Sequence, residues 1–301
     1  MNTHETYINL LTDFGFKKLF GVEANKDLLI DFLNQILPKH HQIKNLTYEK
    51  TEQLGKNSKE RKAFYDLYCM SKTGERFIVE LQKTKQDFFK DRCLYYSTFP
   101  IQSQAQKGDW NFELKAIYTI SIMDFCLEIY DENEEYIHYI KLKDQNGQVF
   151  YDKLSYIYIE LPKFSKKLEE LETRFEKWLF AFKWINKLKE RPKALQERVF
   201  KKLFRLAKIA NLSEMERLEY DRSLKARRDI VNSLNYAKRE ARREGHAEGR
   251  EAGHAAGREE RNVEIIKKFL EEKFSLEQIS IITELPVEEI ETLITRHQLE
   301  K

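Results

Sequence analysis

The sequence predicts an α/β core followed by a helical C-terminal extension, and three observations support this fold class. Over roughly the first 165 residues, stretches with helical spacing alternate with short apolar runs bounded by turn residues. Helical spacing then continues with few Gly or Pro, until glycine begins to recur at every fourth position. Four regions are therefore predicted: a core at 1–165, a helical extension that packs on it at 166–240, a glycine-repeat stem or linker at 241–262 and a small helical hairpin at 263–301.

The composition fits a folded protein. The 301 residues are 41% hydrophobic and include 15 Tyr and 20 Phe, which argues against a largely disordered chain. The 53 Lys and Arg nearly cancel the 50 Asp and Glu, so the net charge of +3 gives no global indication of a nucleic-acid partner. The three cysteines lack metal-ligand spacing, and no signal peptide or long apolar run is present, so we expect a cytoplasmic protein that does not cross a membrane.

Apolar spacing and turn residues predict the elements of the core in order. Helices are expected within 5–37 and 86–107, a weak strand at 43–54, a hairpin from strands at about 62–71 and 75–82, a buried strand at 114–127, and further strands in "EYIHYIKLKD" and "SYIYIELPKF". Gly74 suits the tight turn of the hairpin. The run at 114–127 is long, apolar and rich in isoleucine, as expected of a strand covered on both faces.

The predicted hairpin carries polar side chains among its apolar ones. Strand residues alternate between faces, so Glu80 and Gln82 point the same way from the second strand. With the turn at 73–74, Asp66 lies opposite residues 80–82, and the three side chains share one patch. Two close carboxylates repel each other unless a cation neutralises them, and Mg²⁺ binds through carboxylates and water. The spacing raises the hypothesis of a metal centre; the alternative is a pair of ordinary solvent-facing strand carboxylates.

Several ordered segments of the core resemble the Rpn family, a group of PD-(D/E)XK-type nucleases that are also described as transposases. The segments are Asp66, "TDFGFKKLFGVEANKDLLIDFLNQIL", "VELQ", "DRCLYYSTFPIQSQ" and "LKAIYTISIMDF", all within 10–165, and the glycine-repeat tail also looks like members of the family. The resemblance implies a restriction-endonuclease-like mixed sheet flanked by helices. It also implies an endonuclease that hydrolyses DNA with water activated by Mg²⁺ or another divalent cation, in a family linked to the promotion of DNA recombination. A catalytically weakened DNA-binding or assembly protein with the nuclease fold is the alternative.

The resemblance gives the catalytic roles to three hairpin residues. Asp66 matches the first metal-binding aspartate and Glu80 matches the acid of the (D/E)-x-K element, so both are expected to bind the metal. Gln82 occupies the position where the superfamily usually has lysine, and a neutral amide forms hydrogen bonds but carries no charge to offset that of phosphate. A working variant and an inactive enzyme both remain open. Lys85 is the preferred source of the missing charge, because Lys83 faces away from Gln82 on a regular strand.

Further residues are expected to support catalysis or to bind DNA. Asp13 and Lys17 lie four residues apart on the first helix, where they either complete the metal site or form a cap and a surface ion pair. Gln104 is a further candidate for the metal site. DNA contacts are expected from the helix after the hairpin, at Arg92, Tyr95 and Tyr96. For the two tyrosines, packing within the protein is the alternative.

The sequence of the C-terminal regions gives indications of binding partners. Basic and apolar residues alternate in "KKLFRLAKIA" and "RSLKARRDIVNSLNYAKREARR", a pattern that suits either contact with the DNA backbone or a solvated helix face. The glycine repeat consists of Gly245, Gly249, Gly253 and Gly257. On a helix these glycines leave one stripe bare of side chains, which favours a stem for homo-oligomers over the alternative of a linker. The final hairpin has few basic residues, so it suits partner docking as well as DNA reading.

Overall fold

The chain divides into two compact units between Ile230 and Val231, and a mixed β-sheet lies at the centre of the first unit. The structure is a computed structural model that describes residues 5–53, 63–105, 108–130, 132 and 134–299. Its strands are β1 (Leu46–Tyr48), β2 (Glu52–Gln53), β3 (Ala63–Phe64), β4 (Leu67–Ser71), β5 (Arg76–Gln82), β6 (Ile117–Met123), β7 (Ile137–Lys143) and β8 (Val149–Glu160). The six-stranded sheet has the order β1-β4-β5-β6-β8-β7, and β2 pairs with β3 separately.

Parallel and antiparallel pairing both occur in the six-stranded sheet. β5, β6 and β8 run parallel, whereas β1, β4 and β7 each join the sheet through antiparallel pairs. Every residue of β6 is buried, as expected of a parallel strand that is covered on both faces. The predicted mixed sheet with flanking helices is confirmed. The predicted hairpin is also present, as β4 and β5, and Gly74 in its turn has a φ of 97° that favours glycine.

Helices cover both faces of this sheet. The helices of the described residues are α1 (Asp13–Phe20), α2 (Lys26–Leu33), α3 (Phe89–Gln102), α4 (Arg174–Trp184), α5 (Arg198–Leu206), α6 (Glu214–Glu271), α7 (Leu276–Thr283) and α8 (Val287–His297). The larger core joins one face of the sheet to α1, α2, α4 and α5, and α3 packs on the other face. The helices expected within 5–37 are observed as α1 and α2, and Gly21 caps the end of α1.

Strand β5 sends alternate side chains to these two faces. Val79 and Leu81 belong to the larger core, whereas Ile78 packs with aromatic residues on the α3 side. Glu80 and Gln82 share the face of Ile78 because side chains alternate along a strand. The polar residues of the hairpin are therefore directed away from the larger core and toward α3.

The second unit is helical. It contains the part of α6 after Ile230 together with α7 and α8. Its core consists of Ile266, Ile279, Ile290, Leu293 and Ile294. The glycine repeat lies within α6. None of the helices that the structure describes combines the length and the apolar character of a membrane span.

A close backbone approach at the start of α1 requires glycine. The hydroxyl of Thr12 caps the helix by accepting a hydrogen bond from the N–H of Gly15 at 3.0 Å, and it donates to the carbonyl oxygen of Asn9 at 2.7 Å. A Cβ on Gly15 would lie only 2.2 Å from that carbonyl oxygen. A side chain at this position would force the loop and the helix apart.

We expect Gly15→Ala to lower the free energy of unfolding by about 1–3 kcal/mol, because the added methyl overlaps with the backbone of Asn9. Denaturant unfolding followed by circular dichroism measures the change. Gly253→Ala is the matched control, since a Cβ there meets nothing within 4 Å and alanine stabilises a helix by roughly 1 kcal/mol relative to glycine. Equal shifts for the two variants would contradict the prediction.

Candidate metal centre

The hairpin brings the two acids together across its strands. Asp66 directly precedes β4, and the pairing of Leu67 with Val79 places it opposite Glu80. The N–H of Asp66 donates to Oε1 of Glu80 at 3.2 Å, and the N–H of Leu81 donates to Oδ2 of Asp66 at 2.7 Å. Backbone hydrogen bonds of the neighbouring strand therefore orient both carboxylates.

Burial makes two negative charges costly at this position. Glu80 is only 8% exposed, and burial followed by the nearby charge of Asp66 raises the pKa of Glu80 to about 8. Burial also raises the pKa of Asp66, although the N–H of Leu81 and the charge of Lys17 oppose the rise. Both shifts mean that the doubly ionised pair lacks enough positive charge among its neighbours. A bound cation would supply that charge.

The donor set fits a divalent cation that keeps several water ligands. Across the described ranges, no group of three or more His, Cys, Asp and Glu side chains is arranged to hold a metal. Oδ1 of Asp66 accepts no hydrogen bond from any described residue, and Glu80 presents a second carboxylate beside it. Mg²⁺ is commonly held by one or two carboxylates, with water and substrate phosphate completing its coordination.

Gln82 is committed to hydrogen bonds on both sides of its amide. Its Nε2 donates to Oε2 of Glu80 at 3.1 Å, and its Oε1 accepts from a terminal guanidinium nitrogen of Arg92 at 2.7 Å. The side chain is 7% exposed. In this structure Gln82 therefore contacts Glu80 and Arg92, and it links α3 to the carboxylate pair.

The first helix places an ion pair beside the acids. Nζ of Lys17 lies 2.9 Å from Oδ1 of Asp13, and both side chains are about half exposed. The charge of Lys17 opposes the rise in the pKa of both Asp66 and Glu80. Lys17 thus acts electrostatically on both acids. Asp13 does not cap α1, because Thr12 does so.

The structure places the two lysines after β5 in different surroundings. Lys85 is exposed and forms an ion pair with Glu128. Lys83 lies beside residues of α1, on the face of the sheet opposite to α3, and its charge opposes the rise in the pKa of Asp66. This position agrees with the expectation that Lys83 faces away from Gln82.

Gln104 does not reach the carboxylates. Its Oε1 accepts a hydrogen bond from the N–H of Lys115 at 2.7 Å, and its Nε2 donates to the carbonyl oxygen of Lys115 at 3.3 Å. Lys115 precedes β6, whereas Gln82 pairs with Met123 at the other end of that strand. Gln104 therefore lies at the opposite end of the sheet, because α3 runs back along the sheet from the two acids.

The two tyrosines of α3 make aromatic contacts within the protein. The ring of Tyr95 lies edge-on to Phe99 at 5.2 Å between centroids. The ring of Tyr96 lies edge-on to Tyr65 at 5.7 Å, and Tyr65 donates its hydroxyl hydrogen to the carbonyl oxygen of Tyr96 at 2.9 Å. These contacts support the packing alternative for Tyr96, while Tyr95 remains 43% exposed.

A cleft of about 790 Å³ lies between α1 and the first turns of α6, and its lining includes Lys17 and Lys83, whose charges act on Asp66. Its charged lining consists of Asp13, Lys17, Lys18, Lys83, Glu216, Glu219 and Arg222. The contribution of α6 was not assigned to the site from sequence. The signal that could have found it is the basic stretch "RSLKARRDIVNSLNYAKREARR", which begins at Arg222 and supplies Ser223 and Ala226 to the same lining.

The fold and the acid pair define a class of protein. A mixed sheet with an Asp and a Glu on its antiparallel hairpin, facing a helix-covered side, agrees with the arrangement that the resemblance implied. The family model "PD-(D/E)XK nuclease family transposase" matches residues 10–237, and the chain belongs to this family. Comparison with curated proteins found no match, and neither did comparison with solved structures. Family membership supports a nuclease-type function on DNA, and such nucleases generally use divalent metal ions.

Proposed function

We propose that this protein is a Mg²⁺-dependent DNA endonuclease in which Asp66 and Glu80 hold the cation. The supporting observation is the convergence of these two carboxylates through backbone hydrogen bonds of 3.2 and 2.7 Å in an environment that raises the pKa of both. The fold holds this pair together although two neighbouring negative charges, one of them buried, cost stability. Metal binding is a physical reason to retain it.

The residues around the pair have distinct parts in the proposed reaction. When bound, the divalent cation polarises the phosphodiester and lowers the pKa of water, so that hydrolysis needs no covalent intermediate. Asp66 and Glu80 fix the cation, and the amide of Gln82 holds Glu80 in place. Lys17 and Lys83 lie on the side of the cleft and bind phosphate oxygens of the DNA. Arg222 extends this basic lining onto α6.

Plasmid cleavage tests the proposal. Purified wild-type protein is expected to nick supercoiled DNA in Mg²⁺ and to lose that activity in EDTA. The double variant Asp66→Ala, Glu80→Ala removes both proposed ligands and should be inactive in both conditions. Nicking by the wild type that does not exceed that of the double variant would refute the proposal.

The alternative is a catalytically weakened DNA-binding or assembly protein. The observation in its favour is that Gln82 replaces the usual lysine and is already hydrogen-bonded on both sides. It predicts DNA binding by the wild type without cleavage in Mg²⁺ or Mn²⁺. Promotion of recombination is a further proposal that rests on the endonuclease activity, and it requires an assay of recombination in cells.

We also propose that the glycine repeat of α6 joins copies of this chain. A Cβ built on Gly249 or Gly253 meets nothing within 4 Å, so that stripe of the helix is open for a close approach by another helix. Gly249→Leu together with Gly253→Leu should preserve helicity while reducing the mass measured by light scattering. An unchanged mass would contradict the proposal.

A further inference from the structure

The chain places a neutral amide where its superfamily usually has a lysine, and α3 brings a guanidinium to the other side of that amide. We propose that Arg92 is a positioning residue that acts through Gln82 on Glu80 and so takes over the part of the missing lysine. The inference deepens the proposed nuclease function. One of its two tests is independent of cleavage.

The hydrogen bonds form a directed chain from α3 to β5. Arg92 donates to Oε1 of Gln82 at 2.7 Å, and Gln82 donates from Nε2 to Oε2 of Glu80 at 3.1 Å. Arg92 can only donate, so it selects the orientation in which the amide oxygen faces Arg92 and the amide NH₂ faces Glu80. The reversed orientation would place the amide oxygen against Glu80 and the amide NH₂ against Arg92. Arg92 therefore determines which group Gln82 presents to Glu80.

Arg92 is itself held in place. Its other terminal nitrogen donates to Oε1 of Gln86, and its guanidinium carbon lies 6.0 Å from the ring centroid of Tyr96. Within the described ranges, no carboxylate forms an ion pair with Arg92, so no partner there cancels its charge. That charge acts on Glu80, where it opposes the rise in pKa caused by burial and by Asp66. The buried amide of Gln82 therefore passes the electrostatic effect of Arg92 on to Glu80, and it also keeps the Glu80 side chain in one position.

This assignment differs from direct binding of a DNA phosphate by Arg92. A phosphate contact strengthens DNA binding, so its loss raises KM. A positioning contact acts on the metal-bound carboxylate, so its loss lowers kcat and leaves KM nearly unchanged. The two roles also differ in their dependence on Gln82, because only the positioning role needs that amide.

Steady-state cleavage of a labelled DNA duplex in Mg²⁺ separates the two roles. Arg92→Met is expected to lower kcat about 10- to 100-fold with KM changed less than about twofold. In a Gln82→Ala background the same substitution should lower kcat less than about threefold.

A rescue variant and a control complete the experiment. Gln82→Lys should recover most of the activity that Arg92→Met loses, because it restores a positive charge directly beside Glu80. Lys90→Met, at an exposed position of the same helix, should leave both constants unchanged.

Two kinetic results would overturn the proposal. One is a rise in KM with kcat unchanged, which would assign Arg92 to a phosphate. The other is an equal loss from Arg92→Met with and without Gln82, which would show that the two residues act independently.

Thermal unfolding in EDTA tests the same chain without cleavage. If Arg92 acts through Gln82, Arg92→Met should lower the Tm clearly less in the Gln82→Ala background, where it removes only the contacts with Gln86 and Tyr96, than in the wild type. If the Tm shift of the double variant equals the sum of the shifts of the two single variants, the proposal is overturned. A wild type that never cleaves DNA but shows this coupling would refute the nuclease function and support the positioning role.

Discussion

Asp66→Asn is expected to abolish DNA cleavage, with a loss of at least about 1,000-fold, and at the same time to make the metal-free protein more stable. The asparagine oxygen can still accept the 2.7 Å hydrogen bond from the N–H of Leu81. Its amide nitrogen takes the place of Oδ1, which accepts no hydrogen bond from the described residues. The variant therefore removes one of two crowded charges without breaking a contact. We expect the free energy of unfolding in EDTA at pH 8 to rise by about 1–2 kcal/mol, since one pKa unit corresponds to about 1.4 kcal/mol.

The pH dependence of this effect has a definite sign. Burial and Asp66 raise the pKa of Glu80 from 4.5 to about 8, so the folded state binds more protons than the unfolded state between these values. The stability of the metal-free wild type should therefore fall as pH rises through this window. Asp66→Asn should show a smaller fall, because it removes one cause of the shift.

Thermal unfolding in EDTA and in Mg²⁺ measures both parts of this prediction. Mg²⁺ should raise the Tm of the wild type, and it should not raise that of Asp66→Asn, because only the native wild type binds the cation. Asp221→Asn is a suitable control, since Asp221 is about half exposed and paired with Arg217, outside the group of residues that act on the acids. If metal-free Asp66→Asn has a lower Tm than the metal-free wild type, the carboxylate of Asp66 stabilises the fold by itself, which contradicts the prediction.

Lys83→Gln is expected to weaken DNA binding about three- to tenfold, whereas Lys85→Gln should have little effect. Lys83 lines the cleft beside the acids, while Lys85 forms an ion pair with Glu128 outside it. The two lysines are only two residues apart and carry the same charge. Any difference between the variants therefore reports position and not net charge.

Fluorescence anisotropy with a labelled duplex measures this effect in an Asp66→Asn background, where cleavage does not interfere. In that background, the affinity for DNA should fall as the salt concentration rises. The slope of log K against log salt should decrease by about 1 for Lys83→Gln only. Equal losses for Lys83→Gln and Lys85→Gln would show that DNA does not follow the cleft.

Local pattern was sufficient to predict the strands that form the site. The turn residues around Gly74 and the apolar runs on either side define the hairpin, and the pairing of its strands then places Asp66 opposite Glu80. The buried strand β6 follows from its continuous apolar run, because a parallel strand is covered on both faces. Strand side chains alternate with a period of two residues, and a hairpin needs only one turn. Both features can be recognised within one short segment of the sequence.

Predictions failed where distant segments meet. Gln104 was expected near the metal, but α3 carries it to the far end of the sheet. The basic stretch that begins at Arg222 does not by itself show that the start of α6 borders the cleft, because that contact joins segments about 200 residues apart.

The sequence by itself determined the mixed α/β core, its hairpin and the pair of acids, since each depends on local spacing and on a resemblance carried by ordered motifs. Only the tertiary structure decided what surrounds that pair. The packing of α3 against the sheet places Arg92 on Gln82, and the packing of α1 and α6 forms the cleft with Lys17 and Lys83. The way the helices pack on the two faces of the sheet determines these neighbours. The spacing of apolar residues within one segment cannot show which distant helix packs beside it.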